Sequence, residues 1–263
     1  AVSREGEKEP LEFKLIRESI KVASVKGTRM IDRGIGYVRI TQFTENTGAE
    51  LRTALDQLQK EGLRALVIDL RNNPGGLLTA AVEVSQMFLP RGLPIVATRG
   101  RESRRDPPPH KSDGTFHLID MPLAILVNEG SASASEIVAG ALQDHHRAIL
   151  IGSRTFGKAS VQSIFPLDET NALRLTTARY HTPSDRPIHE VGIPPDIAVP
   201  VSPAEWQKVL QKHARAENPE LFTHEPPPAD LAATHDRPLE RAVDILRGLL
   251  IFRKQDPPAE PAP

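Results

Sequence analysis

The sequence predicts an α/β domain that passes into β-rich additions and then into a C-terminal helical region, and three observations carry that prediction. Residues 65–70 (ALVIDL) and 123–127 (LAILV) are short, almost wholly apolar runs, the pattern of parallel strands buried on both faces. Residues 47–60, 77–88 and 135–144 carry apolar side chains at helical spacing, so helix and strand alternate through the centre. After residue 158 the pattern changes to the two-residue alternation of half-buried strands, as in residues 172–180 (ALRLTTARY).

Taken in order, Leu11, Phe13 and Leu15 alternate with Glu12 and Lys14 and predict a strand. One strand alone cannot bury its face, so residues 1–22 read as the residual end of a preceding module. Residues 35–40 (IGYVRI) predict the first strand of the centre, and helix 47–60 leads to strand 65–70. Helix 77–88, strand 93–98, strand 123–127 and helix 135–144 follow. Residues 99–113, crowded with Arg, Pro and Lys, read as a solvated loop. A helix near 204–214, a Pro-rich stretch at 225–230, an amphipathic helix at 239–252 and a proline-rich tail make up a C-terminal extension, 201–263. That last helix ends in Leu249-Leu250-Ile251-Phe252, apolar enough to pack on the core or on a second subunit.

Composition narrows the partners. With 33 Lys and Arg against 34 Asp and Glu, two Tyr and one Trp, the chain has no basic block or aromatic platform for nucleic acid. It has no apolar run of membrane-spanning length, and its first residues do not read as a signal peptide. No cysteine is present, which excludes disulfides and thiolate metal sites. The nine histidines are scattered, and the adjacent His145 and His146 would point about 100° apart on a helix. Neither a metal nor another cofactor is expected.

Three segments carry chemistry. Asn72-Asn73-Pro74-Gly75-Gly76 follows a buried strand and precedes a helix, placing mobile amides where α/β sheets bind ligands. Such N–H groups stabilise the oxyanion of a tetrahedral intermediate, each contributing roughly 3 kcal/mol. Gly130-Ser131-Ala132-Ser133-Ala134-Ser135-Glu136 repeats that geometry and puts a serine at the positive end of a helix dipole, although any one of the three serines could simply cap the helix, with Glu136 assisting. Phe156-Gly157-Lys158 supplies an amine that can act as a base once apolar neighbours desolvate it, with Gln162 placed to orient it. With no cysteine and no Ser-His-Asp set, a lysine base is what would let a serine attack a peptide bond. The run from Gly152 to Lys158 also fits the start of a phosphate-binding loop, but Ala159 replaces the Ser or Thr such a loop needs, and the β-prone residues 161–166 replace its helix.

Together the runs 66–78, 127–137 and 155–162, with Tyr180-His181-Thr182-Pro183-Ser184 and Gly192-Ile193-Pro194-Pro195-Asp196, resemble the carboxyl-terminal processing peptidases. The resemblance implies a ClpP/crotonase-like core at 23–200, with Ser133 as nucleophile, Lys158 as base, Gln162 as third residue, and Gly76 and Ala134 as the oxyanion hole. It implies substrates with unfolded C-terminal tails, a PDZ module ahead of the core, self-assembly, an adaptor protein and a periplasmic location in a bacterial envelope. Asp185 and Ala159 stand where that family commonly has glycine. A non-catalytic binding protein on the same fold is the alternative, but it has no need of Ser133, Lys158 and Gln162 together. A hydratase acting on acyl thioesters would need paired carboxylates instead.

Overall fold

The computed structural model describes every residue except 1, 5, 7, 8, 17–21, 102–105, 115–117, 119, 223–227, 229, 230, 232 and 256–263. The strands β1 (Val25–Asp32) and β2 (Ile35–Ile40) form an antiparallel hairpin, and α1 (Thr47–Lys60) leads to β3 (Ala65–Asp69), parallel to β2. After α2 (Leu78–Gln86) come β4 (Pro94–Gly100), β5 (His110–Lys111) and β6 (Leu123–Val127), then α3 (Ala134–Asp144) and β7 (Ile149–Gly152). The hairpin β8 (Ser160–Pro166) and β9 (Ala172–His181) is followed by β10 (Ile197–Ala198), α4 (Pro203–Glu217) and α5 (Arg237–Gln255).

The main sheet has the order β1-β2-β3-β6-β7-β10, parallel from β2 onward, and a second, antiparallel sheet has the order β5-β4-β9-β8. All residues of β3 and β6 are buried because both faces of the main sheet are covered, which the pleat makes visible. Leu66 and Ile68 point into the core built with Leu51, Leu55 and Leu58 of α1, whereas Ala65 and Val67 point to the opposite face, closed by Ala242, Leu246 and Leu250 of α5.

Several expectations are revised. No strand forms at 11–15: an isolated bridge joins Val2 and Leu11, while Phe13 and Leu15 are exposed, since among the described residues no strand pairs with them. Strands β1, β7 and β10 have no clear period in the sequence, since β1 is interrupted by charged residues and glycine and the other two are four and two residues long. The expected 99–113 loop contributes its ends to β4 and β5, with 102–105 outside the described residues. Of the two placements expected for the last helix, packing on the core is the one seen, and Leu249, Ile251 and Phe252 remain exposed on its outer side. The Pro-rich stretch 225–230, Pro228 apart, and the tail from residue 256 lie outside the described residues.

The extension is tied to the sheet by charge as well as by packing. Asp69, at the end of β3, accepts from Tyr37 Oη at 2.8 Å and from Arg71 Nε and Nη2 at 2.9 and 2.6 Å. Burial raises the Asp69 pKa, but the Arg71 guanidinium outweighs it and holds the carboxyl below the usual carboxylate range. Arg71 also reaches Asp236, just ahead of α5. Behind them lies buried His213 of α4, its Nε2 at 3.8 Å from Asp236. Burial is the largest influence and lowers its pKa, aided by Arg71 and Arg39 and opposed by Asp69 and Asp236. Protonation of His213 is therefore harder in the folded chain than in the unfolded one, whose imidazole titrates near ~6.5. Its contribution to stability is full above that pH and is lost as the pH falls below it. Melting temperatures measured from about pH 7 down to about pH 5 should fall more steeply for the wild type than for His213→Gln. Parallel curves would show that His213 is not the group responsible.

Candidate active site

The chain leaves β6 through Asn128, turns at Gly130, and enters α3 with Ser133 as N-cap at φ 56° and ψ −112°. A non-glycine residue is held in such a conformation only by its surroundings. Here the surroundings are the carboxylate of Glu136, buried in the first turn of α3. Its Oε2 accepts from the backbone N–H of Ser133 at 2.8 Å and from that of Lys158 at 2.8 Å. Its Oε1 accepts from the Gly157 N–H and the Thr155 hydroxyl, both at 2.6 Å. Two donors sharing one oxygen stand less than two hydrogen-bond lengths apart, so the backbones of Ser133 and Lys158 are held side by side.

The three serines now separate. Ser131 is buried and donates to Leu70 O at 2.8 Å, and Ser135 is buried and donates to Asn73 O at 2.9 Å. Ser133 alone is only half-buried. The glycine turn abuts it: a side chain at Gly75 would strike Ser133 Cβ at 2.8 Å and Ala134 N at 2.9 Å. Asn73 docks the two turns, its carbonyl accepting from Ala132 N at 2.9 Å while its side chain donates to Ile40 O at 2.8 Å. The Gly75 N–H is consumed by Asn73 Oδ1 at 2.9 Å. Gly76 differs. In its bridge with Phe43 the hydrogen bonds run through Gly75 O and Leu77 N, so its own N–H faces away from Phe43. A Cβ there would lie 2.0 Å from Phe43 O, so only glycine fits so close to that strand end. Ala134 opens α3, where N–H groups lack partners within the helix. A shallow cleft lined by Gln42, Thr44, Glu45, Asn46, Gly76 and Leu77 runs beside this turn.

Two sequence expectations are corrected. Lys158 is exposed and Phe156 is 66% exposed, so the apolar enclosure expected around the amine is absent. The cause is the pinning of the 155–158 backbone: Phe156 N donates to Ser131 O at 3.0 Å and Glu136 draws Gly157 and Lys158 inward by their N–H groups, which leaves these side chains outside. Gln162 does not orient the amine either, because its Oε1 accepts from Arg174 Nε. The β8–β9 register makes Gln162 and Arg174 diagonal neighbours on one face of the hairpin. Among the described residues no side-chain hydrogen bond joins Ser133, Lys158 and Gln162. Residue 160 begins a strand, which a phosphate-binding loop would not do, and His145 Nε2 lies 2.7 Å from Pro94 O at the far end of α3. Among the described residues no cluster of metal-ligating side chains occurs, and no helix is long and apolar enough to cross a membrane.

A family model described as peptidase family S41 matches residues 34–199, taking in both turns and the Lys158 loop. The chain belongs to peptidase family S41. It is 48% identical over 202 residues to a carboxy-terminal-processing protease of Bartonella bacilliformis, covering 75% of this chain and 46% of that protein. To a carboxyl-terminal-processing protease of Synechocystis it is 41% identical over 197 residues, covering 74% and 45%. Among solved structures it resembles a photosystem II D1 C-terminal processing protease with a TM-score of 0.61 and 35% identity, covering 70% of this chain and 50% of that one. The mixed α/β fold is thus that of S41 structures, and the chain spans about half the length of the curated relatives it matches.

The Glu136 carboxylate is the site feature that the sequence under-reported, although the Ser133-Ala134-Ser135-Glu136 spacing of a capping box signals one of its four bonds. Glu136→Gln keeps the shape but turns donors toward N–H groups. It should lower unfolding stability by about 2–4 kcal/mol in a urea titration at unchanged slope. An unshifted midpoint would remove Glu136 from its central place.

Proposed function

We propose that this chain is the peptidase portion of a carboxyl-terminal processing serine endopeptidase, with a ClpP/crotonase-like core at 23–200 and residues 1–22 as the end of a PDZ-type module. The observation that carries the reading is the single Glu136 oxygen shared by the Ser133 and Lys158 backbones, with Gly75 packed against the same turn.

In this reading Ser133 Oγ attacks a peptide carbonyl as its proton passes to Lys158 Nζ. The N–H groups of Gly76 and Ala134 hold the oxyanion. Collapse breaks the C–N bond, Lys158 returns the proton to the departing amine, and water then cleaves the acyl-enzyme with Lys158 again as base. Lys158 and Gln162 rotate inward from their exposed positions when an extended substrate strand covers the site and shields the amine, which favours its neutral form. The pairing of Gln162 with Arg174 is the one observation that favours the second reading, a binding protein on the same fold.

Substrates with unfolded C-terminal tails, a periplasmic envelope location, an adaptor and self-assembly belong to the same proposal. Exposed Leu249, Ile251 and Phe252 on α5 support the last of these.

Hydrolysis of an unfolded protein, together with acylation of Ser133 by a serine-directed probe followed by mass spectrometry, tests the reading. Ser133→Ala and Lys158→Ala should each lower turnover by about 10²–10⁴-fold, and Gln162→Ala should cost less. Wild-type activity in either of the first two variants, or no adduct on an active chain, would sink it. In light scattering, Ile251→Glu with Phe252→Glu should reduce the mass to that of one chain. An unaltered multimer would exclude this end of α5 as the contact.

A further inference from the structure

Arg71 directly precedes the Asn72–Gly76 turn and is 3% exposed. One edge of its guanidinium, Nε and Nη2, is taken by Asp69 at the end of β3, at 2.9 and 2.6 Å. Asp69 cannot satisfy the other edge. That edge is taken by Asp236, with Nη1 to Oδ1 at 2.7 Å and Nη2 to Oδ2 at 2.8 Å, from 165 residues away. Trp206 of α4 completes the enclosure, its ring 4.8 Å from Arg71 Cζ. Asp236 is in turn fixed by the helix it starts: its carbonyl accepts from Glu240 N at 2.8 Å, and its Oδ1 from Leu239 N at 3.3 Å.

Both Asp236 and Trp206 lie beyond the 34–199 segment matched by the family. The backbone running out from Arg71 is, residue by residue, the one that presents the glycine amides. Asn72 adopts φ 55° and donates its N–H to Asn128 Oδ1 at 2.8 Å, and Asn73 then fixes Gly75 and meets Ala132. A guanidinium gripped on both edges by bidentate carboxylates is planar and cannot swivel, so the start of the turn is clamped in direction as well as in position.

We infer that Asp236 is a positioning residue for the Asn72–Gly76 turn: through Arg71, the C-terminal segment holds the Gly76 N–H in register with the Ser133 turn. This rests on the roles proposed above for Ser133 and Gly76. The segment is then part of the working site rather than an appendage to it. Another ion pair of the same segment provides an internal control, because Glu217 of α4 pairs with Arg39 of β2 and does not touch Arg71.

The test uses the full chain as wild type, Asp236→Asn and Glu217→Gln. Three quantities are measured: kcat and KM on an unfolded protein substrate, melting temperature, and hydrogen–deuterium exchange of peptides spanning residues 70–77. Asp236→Asn should lower kcat about tenfold or more with KM within about twofold, and should speed exchange in the turn. Glu217→Gln should lower the melting temperature but leave kcat and turn exchange at wild-type values. The inference is overturned if Asp236→Asn leaves turn exchange unaltered, or if Glu217→Gln reproduces its effects, since either result reduces the contact to generic docking. Should Asp236→Asn not fold, Asp236→Glu, which keeps the charge but displaces it by one methylene, is judged by the same two criteria. If the wild type neither turns over nor is acylated at Ser133, the catalytic reading fails by itself, while the exchange comparison still decides the role of Asp236.

Discussion

A carboxylate buried at a helix N-terminus must recover its lost hydration from the chain around it, and Glu136 recovers it from four donors on two segments at once. One donor comes from the turn that begins α3, and the others come from the loop that runs into β8. Each hydrogen bond to a charged group contributes about 1.5–3 kcal/mol, enough together to offset burial and to sustain the unfavourable backbone of Ser133. Satisfying the charge therefore fixes where two otherwise independent segments meet. The main sheet delivers the first segment and the antiparallel sheet departs from the second, so one acid residue joins the two sheets at the site.

The Asn72–Gly76 turn depends on a different kind of economy. Asn73 spends its side chain and its carbonyl on Ile40, Gly75, Ala132 and Ser135, and the Asn72 N–H is bonded to Asn128, whereas the Gly76 N–H has no hydrogen-bond partner among the described residues. A rigid frame around one uncommitted N–H is what electrostatic preorganisation requires, because little then has to move as charge develops. The adjoining ion-pair cluster extends that rigidity to the opposite face of the sheet, where α5 is anchored.

Much of this was legible in the sequence. The buried runs of β3 and β6 and the glycines after them by themselves place the candidate site at the carboxyl ends of parallel strands. Distinguishing Ser133 from Ser131 and Ser135 by residue pattern alone was not possible, because all three are capable helix caps, and the distinction lies in which hydroxyls are consumed by Leu70 and Asn73. Short strands such as β7 carry too few residues to show a period, and β1 exists only because β2 offers an edge. The side-chain positions of Lys158 and Gln162 depend on a hairpin register and on a backbone pinned from within, neither of which spacing encodes. The Arg71–Asp236 contact, across 165 residues, has no local signature at all.

The placement of α5 has a temporal consequence. Residues on the second face of the sheet, among them Ile35, Val67, Ala124 and Ile151, are all synthesised before the helix that covers them. During vectorial synthesis that face stays uncovered, and Arg71 lacks its second carboxylate, until α5 emerges and docks. Until then both the core and the glycine turn remain incomplete, so the order of synthesis makes this turn one of the last parts of the fold to be fixed.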